Sequence, residues 1–195
     1  MEEKYYEAQT FENLKFHGET FEGYKLVDCS FIGCSFEDCR LVRSLVSGCT
    51  FDKCAVTNLK AEGYAQIQYA EFANCRLVGI NWQQLLPSGR FGEPIRKLQG
   101  CSLKYNTFAE MDFKKFDFSD NEVSASIFAQ CQLAESKFRQ CRLEKTEFFQ
   151  CDLQNADFRD ASGYQVDIMS CKVRGARFSF PEAMNLLGGL GIKID

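Results

Sequence analysis

Apolar residues recur along this chain at every fifth position, neither the 3.6-residue spacing of a helix nor the two-residue spacing of a strand. From Phe11 the steps land on Phe16, Phe21, Leu26, Phe31, Phe36, Leu41, Val46, Phe51 and Val56. A second tract runs Ile67, Phe72, Leu77 and Trp82. A third starts at Leu103, holds its register to Phe158, skips Gly163 and resumes at Ile168, Val173 and Phe178. Two residues before most centres stands a small residue such as Cys34, Ala70, Ser126 or Cys151, and the other positions are mostly charged, polar or glycine. One large and one small inward residue per step predict a coil with flat sides, a turn at each corner and a narrow, filled interior.

All eleven cysteines occupy the small inward position, and no C-x-x-C pair occurs. Buried thiols act as small hydrophobes, whereas disulfide frameworks and zinc sites space their cysteines irregularly or in close pairs. The pattern predicts free, packed thiols, with oxidative cross-linking of stacked neighbours as the alternative.

These repeats resemble the pentapeptide-repeat family, whose unit is written A(D/N)LxX; CDLQN (151–155), ADFRD (156–160), CSFED (34–38) and CRLEK (141–145) carry the resemblance. It covers roughly residues 9–180. The resemblance implies an all-β fold, a right-handed quadrilateral β-helix with four pentapeptides per coil. Stacked neighbours then lie twenty residues apart, placing Cys29 on Cys49, Cys34 on Cys54, and Cys131 on Cys151 on Cys171.

The register slips by one residue across TNLKAEGYAQ (57–66), which a bulge would absorb. A larger break, QQLLPSGRFGEPIRK (83–97), carries two of the three prolines and predicts an excursion loop. It is either a partner-contacting loop, with Arg90, Phe91, Arg96 and Lys97 as contacts, or a tolerated insertion. The expected organisation is an N-terminal cap at 1–10 with Tyr5 and Tyr6 packing down, coil segments at 11–82 and 98–180 around this loop, and a C-terminal segment at 181–195. In that segment Pro181 opens a short helix cap, Gly188 and Gly189 stop it, and GIKID forms a final strand. Met184, Leu187, Leu190 and Ile192 make the tail apolar. It resembles the dimerisation segment of Qnr-type quinolone-resistance proteins, which implies a homodimer; an intramolecular cap is the other reading.

Composition narrows the chemistry. The chain of 195 residues has a net charge of -4, which argues against a nucleic-acid coat. No apolar run can span a membrane, residues 1–10 lack a signal-peptide core, and the thiols suit the cytoplasm. The single histidine, His17, falls on an outward position, and no nucleophile elbow, H-E-x-x-H or phosphate loop is present. No enzyme, metal or cofactor is expected.

The resemblance to Qnr-type and microcin-immunity proteins implies a partner instead: DNA gyrase or topoisomerase IV, bound by mimicry of duplex DNA and protected from quinolone-type poisons. One face of the third tract suits mimicry, since Glu110, Glu147 and Asp167 give it -3 with no basic residue. Qnr-type proteins carry two projecting loops where this chain has one clear insertion. A general protein-interaction scaffold, using the same faces on another partner, is the alternative.

Overall fold

The computed structural model describes residues 4–86 and 93–190. By its internal contacts the chain forms two compact units, Met1–Ser102 and Leu103–Asp195. Both are built from short parallel strands joined at corners.

Corner geometry explains the five-residue step. From Tyr105 to Asp160 every fifth residue has a left-handed backbone, including Lys115 at φ 61° and Gln130 at φ 55°. Side chains other than glycine resist this conformation by about 1–2 kcal/mol each. The cost is offset because each turn aims its N–H at the next coil, as in Glu110 N–H to the Ala129 carbonyl at 3.0 Å and Gln130 N–H to that of Phe149 at 3.0 Å.

In the N-terminal unit, Thr10–Glu12, Ser30–Ile32, Thr50–Asp52, Ala70–Ala73 and Ile95–Gln99 stack into one wall, aligning Phe11, Phe31, Phe51, Phe72 and Leu98. The first two steps span twenty residues and the third spans 21. The additional residue sits at Gly63–Tyr64, both at positive φ, where Tyr64 is thrown out to 85% exposure.

Lys4–Glu7 pairs in parallel with Tyr24–Val27, so residues expected to form a cap are a strand of a second, separate wall. Strand alternation turns Tyr6 inward and leaves Tyr5 45% exposed. At the larger break, Trp82–Leu85 forms a 3₁₀ turn with Trp82 and Leu85 buried, and Asn81 caps it by accepting from the Gln83 N–H at 3.2 Å. The wall resumes at Ile95, ahead of the end placed at 97, because Ile95 and Leu98 point inward and are 2% and 5% exposed.

The C-terminal unit aligns Phe108, Phe128 and Phe148 on one side. Their rings stack at 4.6 and 4.9 Å, and Phe118, Phe138 and Phe158 stack at 4.7 Å per step on another side. The two columns meet nearly at right angles, 85° between Phe128 and Phe138.

One coil departs from the predicted register. Phe148 pairs with Val166 rather than Ile168, and Tyr164 and Val166 are buried while Ile168 is partly exposed. The reason lies at Gly163: at φ +74°, a Cβ there would stand 2.8 Å from the Glu144 Cα. Backbones approach too closely for a side chain, and the strand shifts by two residues before Asp152 and Lys172 restore the alignment.

Glu182–Leu190 forms a 3₁₀ helix that begins after Pro181 and runs through Gly188 and Gly189. Gly188 lacks the left-handed backbone that a helix stop uses, so the predicted termination does not occur there. The strand expected at 191–195 lies outside the described residues.

Candidate functional site

The small inward positions hold the first unexpected chemistry. All eleven thiols are free and buried. They also donate hydrogen bonds: Cys131 Sγ to the Phe108 carbonyl at 3.3 Å, Cys151 to that of Phe128 at 3.3 Å, and Cys171 to that of Phe148 at 3.4 Å. Each acceptor lies twenty-three residues back, at the centre of a side in the preceding coil. Ser44 Oγ to the Phe21 carbonyl and Thr146 Oγ1 to that of Val123, both 2.8 Å, repeat the geometry. The position therefore takes a small residue, alanine included, and where that residue is Cys, Ser or Thr it donates. That Cys, Ser and Thr share it was the available signal.

Cys34, Cys54, Cys75 and Cys101 form a column in the N-terminal unit, joined by backbone bonds from Ala55 to Cys34, Arg76 to Cys54 and Ser102 to Cys75. Constant twenty-residue spacing predicts only its first step, because the slip and the break intervene. Burial pushes the Cys49 and Cys141 thiols up to about 12, well away from nucleophilic use.

Outward positions carry the charge. Across the C-terminal unit, acids on two sides are matched by bases: Asp117 with Lys137 and Asp152 with Lys172, each at 3.7 Å, and Lys115 with Glu135 at 3.8 Å. The side centred on Phe108, Phe128 and Phe148 has acids but no base. Among the described residues, its Glu110, Glu147 and Asp167 form no ion pair. Glu110 and Glu147 are exposed. The Asp167 carboxylate accepts from Ser170 Oγ at 2.6 Å, a bond that lowers its pKa. Ile127 and Phe149 on the same side are 42% and 45% exposed, a feature the charge pattern alone did not reveal.

One two-pronged charged contact is local. Arg159 grips Asp157 through Nε at 2.9 Å and Nη2 at 2.6 Å, and its backbone N–H adds a third bond at 3.1 Å. The guanidinium holds the Asp157 carboxyl down to about 2. A depressed carboxyl pKa stabilises the fold above its unfolded value, near 3.9, and the contribution is lost as pH falls through about 2. With Arg159 partly in solvent, Asp157→Asn is expected to cost about 1 kcal/mol at neutral pH. Urea midpoints of both proteins, compared from neutral pH down to pH ~2, should converge.

Of the other sequence candidates, Arg96 and Lys97 lie on the strand Ile95–Gln99, where Arg96 Nε is 3.8 Å from Glu71 Oε1. Arg90, Phe91 and Ile192 lie outside the described residues. Met184 and Leu190 are 37% and 42% exposed on the C-terminal helix, with Leu187 half-buried. His17 is 75% exposed, its Nδ1 3.2 Å from Glu37 Oε2. No helix among the described residues is long and apolar enough to cross a membrane.

The family model for pentapeptide repeats matches residues 126–162, in eight copies. Among solved structures, full-length QnrB1, a plasmid-mediated fluoroquinolone resistance protein, superposes with a TM-score of 0.54 at 19% identity, covering 96% of this chain and 100% of that one. HetL, a pentapeptide-repeat protein involved in heterocyst differentiation regulation from Nostoc sp. strain PCC 7120, gives 0.38 at 11% identity, over 89% of this chain and 84% of that one. No curated protein matches the sequence. The fold is the right-handed quadrilateral β-helix that the repeats implied.

Proposed function

We propose that this pentapeptide-repeat protein is a non-catalytic partner of a type II topoisomerase, DNA gyrase or topoisomerase IV, which it binds as a DNA mimic and shields from quinolone-type poisons. The observation that carries the reading is the unpaired acidic side of the C-terminal unit. Glu110, Glu147 and Asp167 form no ion pair and share their side with no base, whereas Asp117 and Asp152 on other sides are matched by Lys137 and Lys172. A surface of that kind suits a basic DNA-binding saddle and gives salt-sensitive association. The fold shared along its whole length with a fluoroquinolone resistance protein supports the same assignment. The segment 83–97, with Arg90, Phe91, Arg96 and Lys97, would contact the enzyme, and the C-terminal segment bearing Met184, Leu187, Leu190 and Ile192 would pair two copies.

The test is gyrase supercoiling in the presence of a quinolone, titrated with the full chain. Rescue is expected, and Glu110→Lys with Glu147→Lys should abolish it while leaving the unfolding midpoint unchanged, both residues being exposed. Absence of both rescue and inhibition at every concentration overturns the reading. The exposed Ile127 and Phe149 favour a second one, a protein-interaction scaffold on the same side, since duplex DNA offers no apolar counterpart.

A further inference from the structure

The two units do not fill their interiors equally. In the C-terminal unit, Phe108, Phe118, Phe128 and Phe138 are all 0% exposed. In the N-terminal unit, Phe31, Leu41 and Phe51 retain 5%, 6% and 8%, although coils lie on both sides of them. The cause is legible in the coil running from Val46 to Ala61. It places Val46, Val56 and Ala61 at inward centres, smaller than the phenylalanine or leucine at most centres of the other unit. Too little side chain enters the axis, and a cavity of ≈230 Å³ remains.

This cavity lies wholly within the N-terminal unit. Its open end is ringed by the half-buried Tyr6, Phe11, Phe16 and Phe21. Its inner end is formed by Phe72 and Trp82, 3% and 1% exposed, with rings 5.8 Å apart at 76°. Along one wall Phe11, Phe31, Phe51 and Phe72 stack at 5.1, 4.9 and 4.9 Å.

No charged side chain lines the space. Charges near the mouth are engaged outside it: Lys4 Nζ lies over the Tyr24 ring, and Arg43 pairs with Glu22. A cavity without polar partners does not hold ordered water, and one of about 150 Å³ lined by Leu, Ile and Phe is known to take benzene. A void also forfeits the dispersion contacts its lining would otherwise make, which a ligand restores.

We propose that the axis of the N-terminal unit is a binding site for a small neutral aromatic molecule of one or two rings. It enters at the Phe11–Phe16–Phe21 end and packs against the stacked phenylalanine wall. The uncharged lining excludes carboxylates and amines, whose desolvation nothing there would offset. The inference is independent of any topoisomerase partner.

The test uses the full chain and N-phenyl-1-naphthylamine, a neutral fluorophore, with naphthalene and toluene as competitors. Saturable binding at one site per chain is expected, with blue-shifted emission, displacement by both hydrocarbons and a raised thermal midpoint. Filling the space by Val56→Leu or, separately, Val46→Leu, both positions lining it, should weaken binding by about tenfold or more while the protein stays folded. Far-ultraviolet dichroism checks the fold of each variant. Two results overturn the proposal: no saturable response from the unmodified chain, or undiminished binding by either folded, filled variant. Binding lost instead on Phe16→Glu but retained by the filled variants would put the probe on the outer rim, and overturns it equally.

Discussion

Phe128→Ala is expected to cost about 3–5 kcal/mol of unfolding free energy, the upper range for a single core substitution. Phe128 is fully buried, stacked on Phe108 at 4.6 Å and Phe148 at 4.9 Å, and meets Phe118 and Phe138 edge-on at 5.5 and 5.9 Å. Alanine removes the ring from all four contacts at once. The coils cannot collapse into the gap, because their spacing is fixed by the backbone bonds that join Glu110 to Ala129 and Gln130 to Phe149. The cavity therefore persists. Val56→Ala, at a position lining space that is already open, should cost much less. Urea denaturation of both variants measures the contrast, and equal losses would contradict the difference in packing between the two units.

The second large effect is chemical. A thiol reacts as its thiolate, so raising Cys49 and Cys141 from about 8.5 to about 12 cuts the reactive fraction near pH 8 by ~10³-fold. Burial blocks the reagent as well, the eleven thiols ranging from 0% to 8% exposed. Ellman's reagent is expected to titrate almost none of them in the native protein and all eleven in guanidinium. Rapid native labelling of Cys141 would show that the C-terminal unit opens far more readily than its packing allows.

Both outcomes depend on features that were unequally visible in the sequence. The five-residue step from Phe108 to Phe158 identifies which side chains face inward, because every corner and every strand has the same length. It identifies the buried cysteines for the same reason. It does not show that Cys131 donates to the Phe108 carbonyl twenty-three residues back, since that contact is set by how far one coil rises above the next.

Irregularities cost the sequence reading most. After Gly163 the register continues by twos through Tyr164 and Val166, where counting by fives arrives at Ile168. Counting has no access to the close approach of Gly163 to the Glu144 backbone. At the larger break, prolines mark an interruption, but only the inward packing of Ile95 and Leu98 fixes where the wall resumes.

Local repetition, then, determined by itself a coil with flat sides, the inward residues and the acids of one side, because each follows from short-range spacing. Tertiary structure alone decided that no base reaches those acids, which thiols align, and where the axis is left open. Each of those depends on matching side chains twenty or more residues apart, across coils whose relative register is set by a bulge at Gly63, an interruption after Trp82 and a shift at Gly163.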